Sequence, residues 1–523
     1  MTRLTLLQPI AEYLLQILCV SLTFLLPVEK EPNDLNTPAA VGQGEASADD
    51  DAATINVSLP KKNILFIGFD DLRPELRCYG ATHMHTPNMD ALAKSGMLFR
   101  RAYCQQAICA ASRSSLLTGL RPDSTGIYDL NHPMRETLPQ VQSMPRFFKE
   151  YGYRTVSLGK IYHHPQDDKE YWDVLDSCSA PAYASTSNRE IVEQKKSKIA
   201  DRNLTKKQAR AAAKGPAWEM ADVPDETYGD GKMTDEAIRQ LRNGTKQPFF
   251  MAIGFRKPHL PFVAPQKYWD LYNRSDIQIP SRESPFGAPP AAFTNWGELR
   301  TYHAMPATGD LNDEQTRELI HGYRACVSYV DEQLGRILKE LDRLHLRDNT
   351  LIVLWGDHGW KLGEYGDWCK HTNWELDTHV PLILSGPNIP ADSKCNALVE
   401  YIDLFPTLAQ FNGLQPPQSC EGHSLLPLLN DPTAKWDYPA ISQYPRNGGM
   451  GYTVRYGHWR YTEWRDKQGK LDAAELYDHR ESSIAQFNVI DEQEHQETVE
   501  QLKRFLKDRK PKQAAKQVAE ATE

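Results

Sequence analysis

Several apolar segments of this chain end in clusters of polar residues, and this repeated pattern constrains the fold more than any other feature of the sequence. Continuous apolar runs of this kind are typical of strands buried on both faces of a parallel sheet. Three such segments are 63–69 before Asp70 and Asp71, 248–255 before His259, and 350–356 before Asp357 and His358. A fourth segment, 153–158, is of mixed polarity and ends in the same way, before Lys160 and His163.

Helical patterns lie between these segments, for example over 313–344. We therefore predict an α/β fold with a large, mostly parallel sheet flanked by helices, and a smaller C-terminal α+β subdomain. Ligands in such folds bind outside the carboxyl ends of the strands, so the four polar clusters are predicted to share one edge and form a site. Taken singly, each cluster is equally consistent with an ordinary turn.

The carboxylates at this edge predict a divalent cation. Asp70, Asp71 and Asp357 would repel one another unless a cation lay between them. Oxygen ligands favour calcium or magnesium over zinc, and calcium is the first choice because it tolerates an irregular set of ligands. His358 adds a nitrogen ligand or a hydrogen bond to substrate. A structural calcium ion away from catalysis is the alternative.

Lys160, His163, His259 and Lys370 bring positive charge or hydrogen-bond donors to the same edge. Together with a metal ion, these side chains predict a site for an anion. Individually, a solvated lysine and a structural histidine are the more common roles of these residue types.

Cys109 begins a segment of small residues that reads as a helix, and Arg113 follows four positions later. A thiolate is a soft ligand that suits calcium poorly, whereas a helix N-terminus with an arginine favours an anion. Conversion of Cys109 to formylglycine would resolve this mismatch, because the hydrated aldehyde supplies an oxygen ligand and a hydroxyl nucleophile.

Other features of the sequence indicate how the chain is organised and whether it is exported. The apolar run 14–26 follows Arg3 and is too short to span a membrane, so it predicts a signal peptide and export, with a buried core helix as the alternative. The predicted organisation is a signal peptide over 1–27, a disordered linker over 28–60, a catalytic domain over 61–435, the smaller subdomain over 436–510 and a disordered tail over 511–523.

The net charge of −9 predicts no attraction for nucleic acid. The basic stretch 187–214 predicts a solvated helix or a glycan-contacting face. Cys395 and Cys420 are a candidate disulfide pair.

Two motifs, in this order, resemble the signatures of the formylglycine-dependent type I sulfatases, a family of the alkaline phosphatase superfamily. The first signature, C-x-P-S-R followed by T-G, reads Cys109-Ala110-Ala111-Ser112-Arg113 and Thr118-Gly119, and the second, G-Y-x-T-x-x-x-G-K, reads Gly152-Tyr153-Arg154-Thr155 and Gly159-Lys160. The segments 257–262 and 357–364 look most like the iduronate-2-sulfatase subgroup, and the resemblance covers roughly residues 61–500. Ala111 replaces the family's usual proline. The family's anaerobic maturation route accepts alanine there, so the departure constrains the maturation enzyme.

The resemblance implies a role for each candidate residue. The implied ligands of one calcium ion are Asp70, Asp71, Asp357, His358 and the modified Cys109. The other implied roles are that Arg113 and Lys160 hold the formylglycine, that His163 takes its proton when sulfate is expelled, that Lys370 binds the sulfate, and that His259 protonates the leaving alcohol. The implied partners are a sulfated carbohydrate and either a formylglycine-generating enzyme or an anaerobic sulfatase-maturating enzyme.

We therefore expect hydrolysis of sulfate esters on a sulfated sugar or a glycosaminoglycan-like polysaccharide, with a 2-O-sulfated uronic acid as one candidate. Two alternatives stay open at this point. One is a phosphodiesterase or phosphonate monoester hydrolase of the same superfamily, and the other is an inactive calcium-dependent binder of sulfated glycans.

Overall fold

A computed structural model describes residues 61–200, 202–244 and 247–509. The predicted signal peptide, linker and C-terminal tail lie outside these residues, and the predicted domain boundaries stay predictions. The strands are β1 Asn63–Asp70, β2 Met97–Tyr103, β3 Arg154–Gly159, β4 Val174–Asp176, β5 Trp218–Ala221, β6 Phe249–Pro258, β7 Phe262–Pro265, β8 Thr350–Gly356, β9 Lys361–Leu362, β10 Trp368–Cys369, β11 His379–Ser385, β12 Ser393–Glu400, β13 Ala440–Arg446, β14 Gly449–Tyr456, β15 Trp459–Arg465 and β16 Leu471–Asp478.

Helices connect these strands, and most are short. The α-helices are Pro87–Lys94, Cys109–Thr118, Pro122–Thr125, Met134–Thr137, Met144–Glu150, Thr186–Ile199, Lys206–Ala212, Gly229–Arg242, Gln266–Trp269, Gly297–Arg300, Asp313–Arg343, Glu375–Thr378, Leu404–Phe411, Leu426–Asn430 and Gln496–Asp508. The 3-10 turns are Arg77–Tyr79, Lys169–Tyr171, Asp225–Thr227, Arg274–Asp276, Pro290–Ala292, Arg347–Asn349, Glu364–Gly366, Tyr401–Asp403 and Gln493–His495.

The large sheet has eight strands in the order β12-β2-β11-β8-β1-β6-β3-β4. The four segments singled out in the sequence are β1, β3, β6 and β8, which are adjacent and mutually parallel. Only β11 runs against its neighbours in this sheet. The prediction of a mostly parallel sheet is confirmed, and its four polar clusters follow strands that end at one edge.

Both faces of the sheet are covered, as the continuous apolar strands require. Successive side chains of a strand point to opposite faces. Leu65 and Ile67 of β1 pack in the cluster that contains the long helix Asp313–Arg343. Ile64 and Phe66 pack in the other cluster, with the helices Cys109–Thr118 and Leu404–Phe411. The helix that begins at Cys109 is therefore held against the same sheet that ends in the aspartates.

A second, antiparallel sheet follows in the chain, with the order β13-β14-β15-β16. Val454 and Leu476 of this sheet pack against Val499 and Leu502 of the helix Gln496–Asp508. The predicted small α+β subdomain is thus present in this part of the chain. β13 carries Pro445 and lies at the edge of this sheet, where a proline is tolerated.

Two smaller predictions have different outcomes. Cys395 is a free thiol, so the proposed pairing of Cys395 with Cys420 is wrong: Cys395 is held in β12 opposite Phe99, while Cys420 lies against Gly119. The basic stretch 187–214 forms two helices rather than one. Within the described residues, no helix has both the length and the apolar character needed to cross a membrane.

Candidate active site

The ends of β1 and β8 meet at the centre of the site. Asp70 is the last residue of β1, and Asp71 follows it with a left-handed backbone, φ 66°. The backbone N–H of Asp71 donates to Oδ1 of Asp357 at 2.9 Å, which joins the two strand ends. All three aspartates are buried. The parallel register of β1 and β8 thus brings together carboxylates that are far apart in the sequence.

Cys109 is the first residue of its helix, and its Sγ lies 3.3 Å from Nε2 of His358. Its sulfur belongs to two groups of possible metal ligands whose atoms lie within 4.8 Å of one another, one with Asp71 and His358 and one with Asp70 and Asp357. The structure therefore brings all five predicted metal ligands together. Burial, with the charge of Asp70, raises the pKa of the thiol well above its usual value. An unmodified Cys109 is a neutral and weak nucleophile.

Cations of the chain itself also contact the carboxylates. Arg113 donates from Nε to Asp357 at 2.9 Å and from Nη2 to Asp70 at 3.3 Å. Lys160 Nζ lies 2.5 Å from Oδ2 of Asp70. Burial acts to raise the pKa of Asp70, but Lys160, His259 and Arg113 outweigh it and hold this pKa well below its usual value. Arg113 and Lys160 therefore relieve part of the repulsion that the sequence assigned to a divalent cation.

Asp71 differs from its neighbour. Lys370 Nζ contacts both carboxylate oxygens of Asp71, at 3.0 and 3.1 Å. Even so, burial and the adjacent Asp70 raise the pKa of Asp71 above its usual value, against the charges of His259 and Lys370. The negative charge of Asp71 is thus incompletely compensated by the protein. A hard cation at this point would stabilise it, and the carboxylate oxygens present fit calcium.

Glu298 is a residue of the site that the sequence analysis missed. Its Oε1 lies 3.1 Å from Nε2 of His259, and its Oε2 lies 2.9 Å from Nζ of Lys370. His259 Nε2 is also 3.8 Å from Asp71. Burial acts to raise the pKa of Glu298, but Lys370 and His259 hold it well below its usual value. Glu298 lies in the short helix Gly297–Arg300, which no motif marks, so only the fold reveals it.

His163 follows β3 and is close to Lys160. Its Nδ1 is buried, and so is Nε2 of the adjacent His164, and neither atom has a hydrogen-bond partner among the described residues. Burial, together with Lys160 and His164, lowers the pKa of His163 to about 3. The imidazole is therefore neutral near pH 7. Within the described part of the chain, His163 has no hydrogen bond to Cys109.

A family model described as "Sulfatase" matches residues 62–414. The chain belongs to the sulfatase family. A second model, described as "N-sulphoglucosamine sulphohydrolase, C-terminal", matches residues 363–512, which include the small sheet. The resemblance seen in the two sequence motifs is confirmed, and this sulfatase is a hydrolase of sulfate esters.

One curated relative agrees with this assignment, and two solved structures share its fold. Iduronate 2-sulfatase of Homo sapiens is 36% identical over 482 residues, covering 77% of this chain and 84% of that protein. A structure solved in complex with D-glucosamine-2-N,6-O-disulfate has a TM-score of 0.69 at 23% identity, covering 87% of this sulfatase and 98% of that chain. Phosphonate monoester hydrolase from Silicibacter pomeroyi has a TM-score of 0.67 at 22% identity, covering 85% and 94%. At these identities the two solved structures show a common fold alone.

Proposed function

We propose that this sulfatase removes sulfate from a sulfated sugar or glycosaminoglycan-like polysaccharide, using formylglycine made from Cys109 and one calcium ion. The observation that carries the proposal is the convergence of Cys109, the buried aspartates and the cations Arg113, Lys160 and Lys370 at one sheet edge. The similarity to iduronate 2-sulfatase supports a 2-O-sulfated uronic acid as the substrate.

The residues present fit both groups that the family implies. Asp70, Asp71, Asp357 and His358 would hold the calcium ion, which would attract the sulfate oxygens of the substrate. Formylglycine hydrate at position 109 would supply the oxygen nucleophile that the neutral thiol does not provide.

The chain's own side chains supply the remaining requirements of sulfuryl transfer, which are cations at the sulfuryl oxygens and an acid at the departing oxygen. Lys370 would bind the sulfate, and Lys160 and Arg113 would balance negative charge near residue 109. Neutral His163 would accept a proton, and His259 would donate one to the leaving alcohol. Glu298 holds His259 and Lys370 side by side, so we assign it a positioning role.

The test is sulfate release from a sulfated uronic acid by protein whose formylglycine content is known, with a phosphodiester and a phosphonate monoester assayed in parallel. Release of sulfate in proportion to formylglycine supports the proposal. Faster turnover of the phosphorus esters would assign the protein to the phosphonate or phosphodiester hydrolases. Calcium-dependent binding of the sugar without turnover by fully converted protein would make it a binder. Export stays a prediction, which N-terminal sequencing of the mature protein checks.

A further inference from the structure

Two half-buried cations lie beside Lys370, and no carboxylate of the described residues forms an ion pair with either of them. The first is Lys214, whose Nζ lies 4.2 Å from the ring centre of Tyr302. Burial lowers the pKa of Lys214, Glu298 raises it and Lys370 lowers it further. Lys214 is therefore close enough to the site to be affected by its charges.

The second cation is Arg446, at the end of β13. Its Nη2 donates to the backbone carbonyl of His371, next to Lys370, at 2.7 Å, and its Nε donates to the carbonyl of Ala291 at 3.1 Å. Its guanidinium lies 5.2 Å from the ring centre of Tyr444. Burial lowers the pKa of Arg446 from its usual value. Both hydrogen bonds go to neutral carbonyl acceptors. Asp367 and Asp377 favour the charged form of Arg446 and raise its pKa, but neither forms an ion pair with the guanidinium within the described residues.

The other cations of the site are paired with carboxylates. Lys160 contacts Asp70, Arg113 contacts Asp357, and Lys370 contacts Asp71 and Glu298. A partly buried charge without a partner costs free energy, and such groups beside an active site are candidates for ligand contact. Lys214 and Arg446 have only longer-range interactions with carboxylates of the described residues, so an anionic group of a ligand could pair with each of them directly.

We propose that Lys214 and Arg446 bind further anionic groups of the substrate, a carboxylate or a second sulfate, next to the ester sulfate held by Lys370. This inference rests on the proposed function and deepens it. It selects sugars with at least two negative charges over simple monosulfates. A uronic acid provides a carboxylate and a disulfated hexosamine provides a second sulfate, so the shared chemistry is an anionic oxygen group on the sugar.

The experiment compares kcat/KM on four substrates: an aryl sulfate, a 2-O-sulfated uronic acid glycoside, its carboxyl-reduced analogue, and glucosamine-2-N,6-O-disulfate. The wild-type protein is compared with Lys214→Met and Arg446→Gln, and with Lys394→Met as a control that removes an exposed lysine of β12. Loss of one charge-assisted hydrogen bond corresponds to roughly a 10- to 100-fold change. We expect at least one of the two site variants to reduce the preference for a doubly charged sugar over the aryl sulfate by that factor.

The substrate pairs distinguish a carboxylate from a second sulfate as the anionic group that is bound. Loss of the preference for the uronic acid over its carboxyl-reduced analogue assigns the subsite to a carboxylate, and loss of the preference for the disulfated hexosamine assigns it to a second sulfate. The charge-conserving variants Lys214→Arg and Arg446→Lys should retain most of the preference. Equal losses on all four substrates, or a wild-type protein that hydrolyses aryl sulfate yet shows no preference for a second anion, would overturn the inference. A wild-type protein with formylglycine that hydrolyses none of the four would instead overturn the proposed function.

Discussion

Two buried clusters of charged residues in this sulfatase differ in their balance of charge. At the active site, four carboxylates, those of Asp70, Asp71, Asp357 and Glu298, face the cations Arg113, Lys160 and Lys370. Beneath the small sheet, the single carboxylate of Glu375 accepts hydrogen bonds from Arg455 at 2.9 Å, Arg460 at 2.6 Å and Tyr103 at 2.7 Å. The first cluster has carboxylates in excess, and the second has cations in excess around a fully bonded carboxylate.

The difference shows why a buried charge cluster is not in itself a site. Burial acts to raise the pKa of Glu375, but Arg455 and Arg460 hold it well below its usual value. Glu375 follows Lys370 closely in the chain and begins the helix Glu375–Thr378, so this cluster fixes the small sheet against the segment that carries Lys370. In the active site, by contrast, the negative charge of Asp71 is only partly compensated, which favours binding of a metal ion. His163 is neutral there and is a candidate for proton transfer.

The largest expected effect is at the carboxylate-rich cluster. Asp71→Asn and Asp357→Asn should each lose bound calcium and lower turnover by about 10⁴-fold or more, as when one member of a catalytic unit is removed. The unfolding temperature should fall less than for a change at Glu375, because Lys370 keeps Glu298 as a partner. Metal analysis, kinetics and thermal unfolding test this, and unchanged calcium content in both variants would contradict the metal assignment.

The next effect concerns His259. A sugar alkoxide is a poor leaving group that needs a proton in the transition state, whereas a nitrophenolate leaves with little help. His259→Ala should therefore lower kcat on sugar sulfates by about 10²- to 10⁴-fold more than on an aryl sulfate. Measuring kcat on both substrates at several pH values tests the role. Equal losses on the two substrates would remove His259 from the acid role.

At the small sheet the effect should be on stability and not on chemistry. Glu375→Gln removes the carboxylate from two buried guanidinium groups, which typically costs about 3–5 kcal/mol. The folded fraction should keep its kcat, since Glu375 contacts none of the proposed catalytic residues. Denaturant unfolding with active-site titration measures both quantities. A variant of normal stability with impaired kcat would mean that the two clusters do not differ as described.

The smallest expected effect is a pH dependence within the small sheet. Burial raises the pKa of Glu475 to about 7, although Trp464 and Tyr477 donate hydrogen bonds to it. The folded state then binds more protons than the unfolded state between about pH 4 and 7, so stability falls as pH rises through this window. Glu475→Gln should reduce the difference in unfolding free energy between low and high pH by about 1–3 kcal/mol. Denaturant unfolding of both proteins at pH 5 and pH 8 provides the measurement. The same change in unfolding free energy between the two pH values in both proteins would contradict the prediction.

The sequence predicted the large sheet and its ligand edge because β1, β6 and β8 are nearly continuous apolar runs, as expected of strands buried on both faces of a parallel sheet. The rule that ligands bind at the carboxyl ends then placed Asp70 and Asp357 together. Glu298, Lys214 and Arg446 could not be found in this way. Glu298 lies in a short helix, Lys214 follows a helix, and Arg446 ends a strand. Their nearness to Lys370 depends on how segments distant in the sequence pack together.

The same limit applies to the cations that contact the aspartates directly. Repulsion between Asp70 and Asp71 can be read from the sequence, but the contacts of Lys160 with Asp70 and of Lys370 with Asp71 cannot. The fully bonded cluster at Glu375 was also invisible, because Arg455 and Arg460 are about eighty residues away from it.

The most direct test of the account is mass spectrometry of the peptide that carries Cys109, made on the same samples whose sulfate release is measured. Protein produced with a compatible maturation enzyme should contain formylglycine at position 109, and its turnover should rise in proportion to the converted fraction. Protein with only the thiol should be nearly inactive. Full sulfatase activity from a sample in which Cys109 is entirely unmodified would contradict the account.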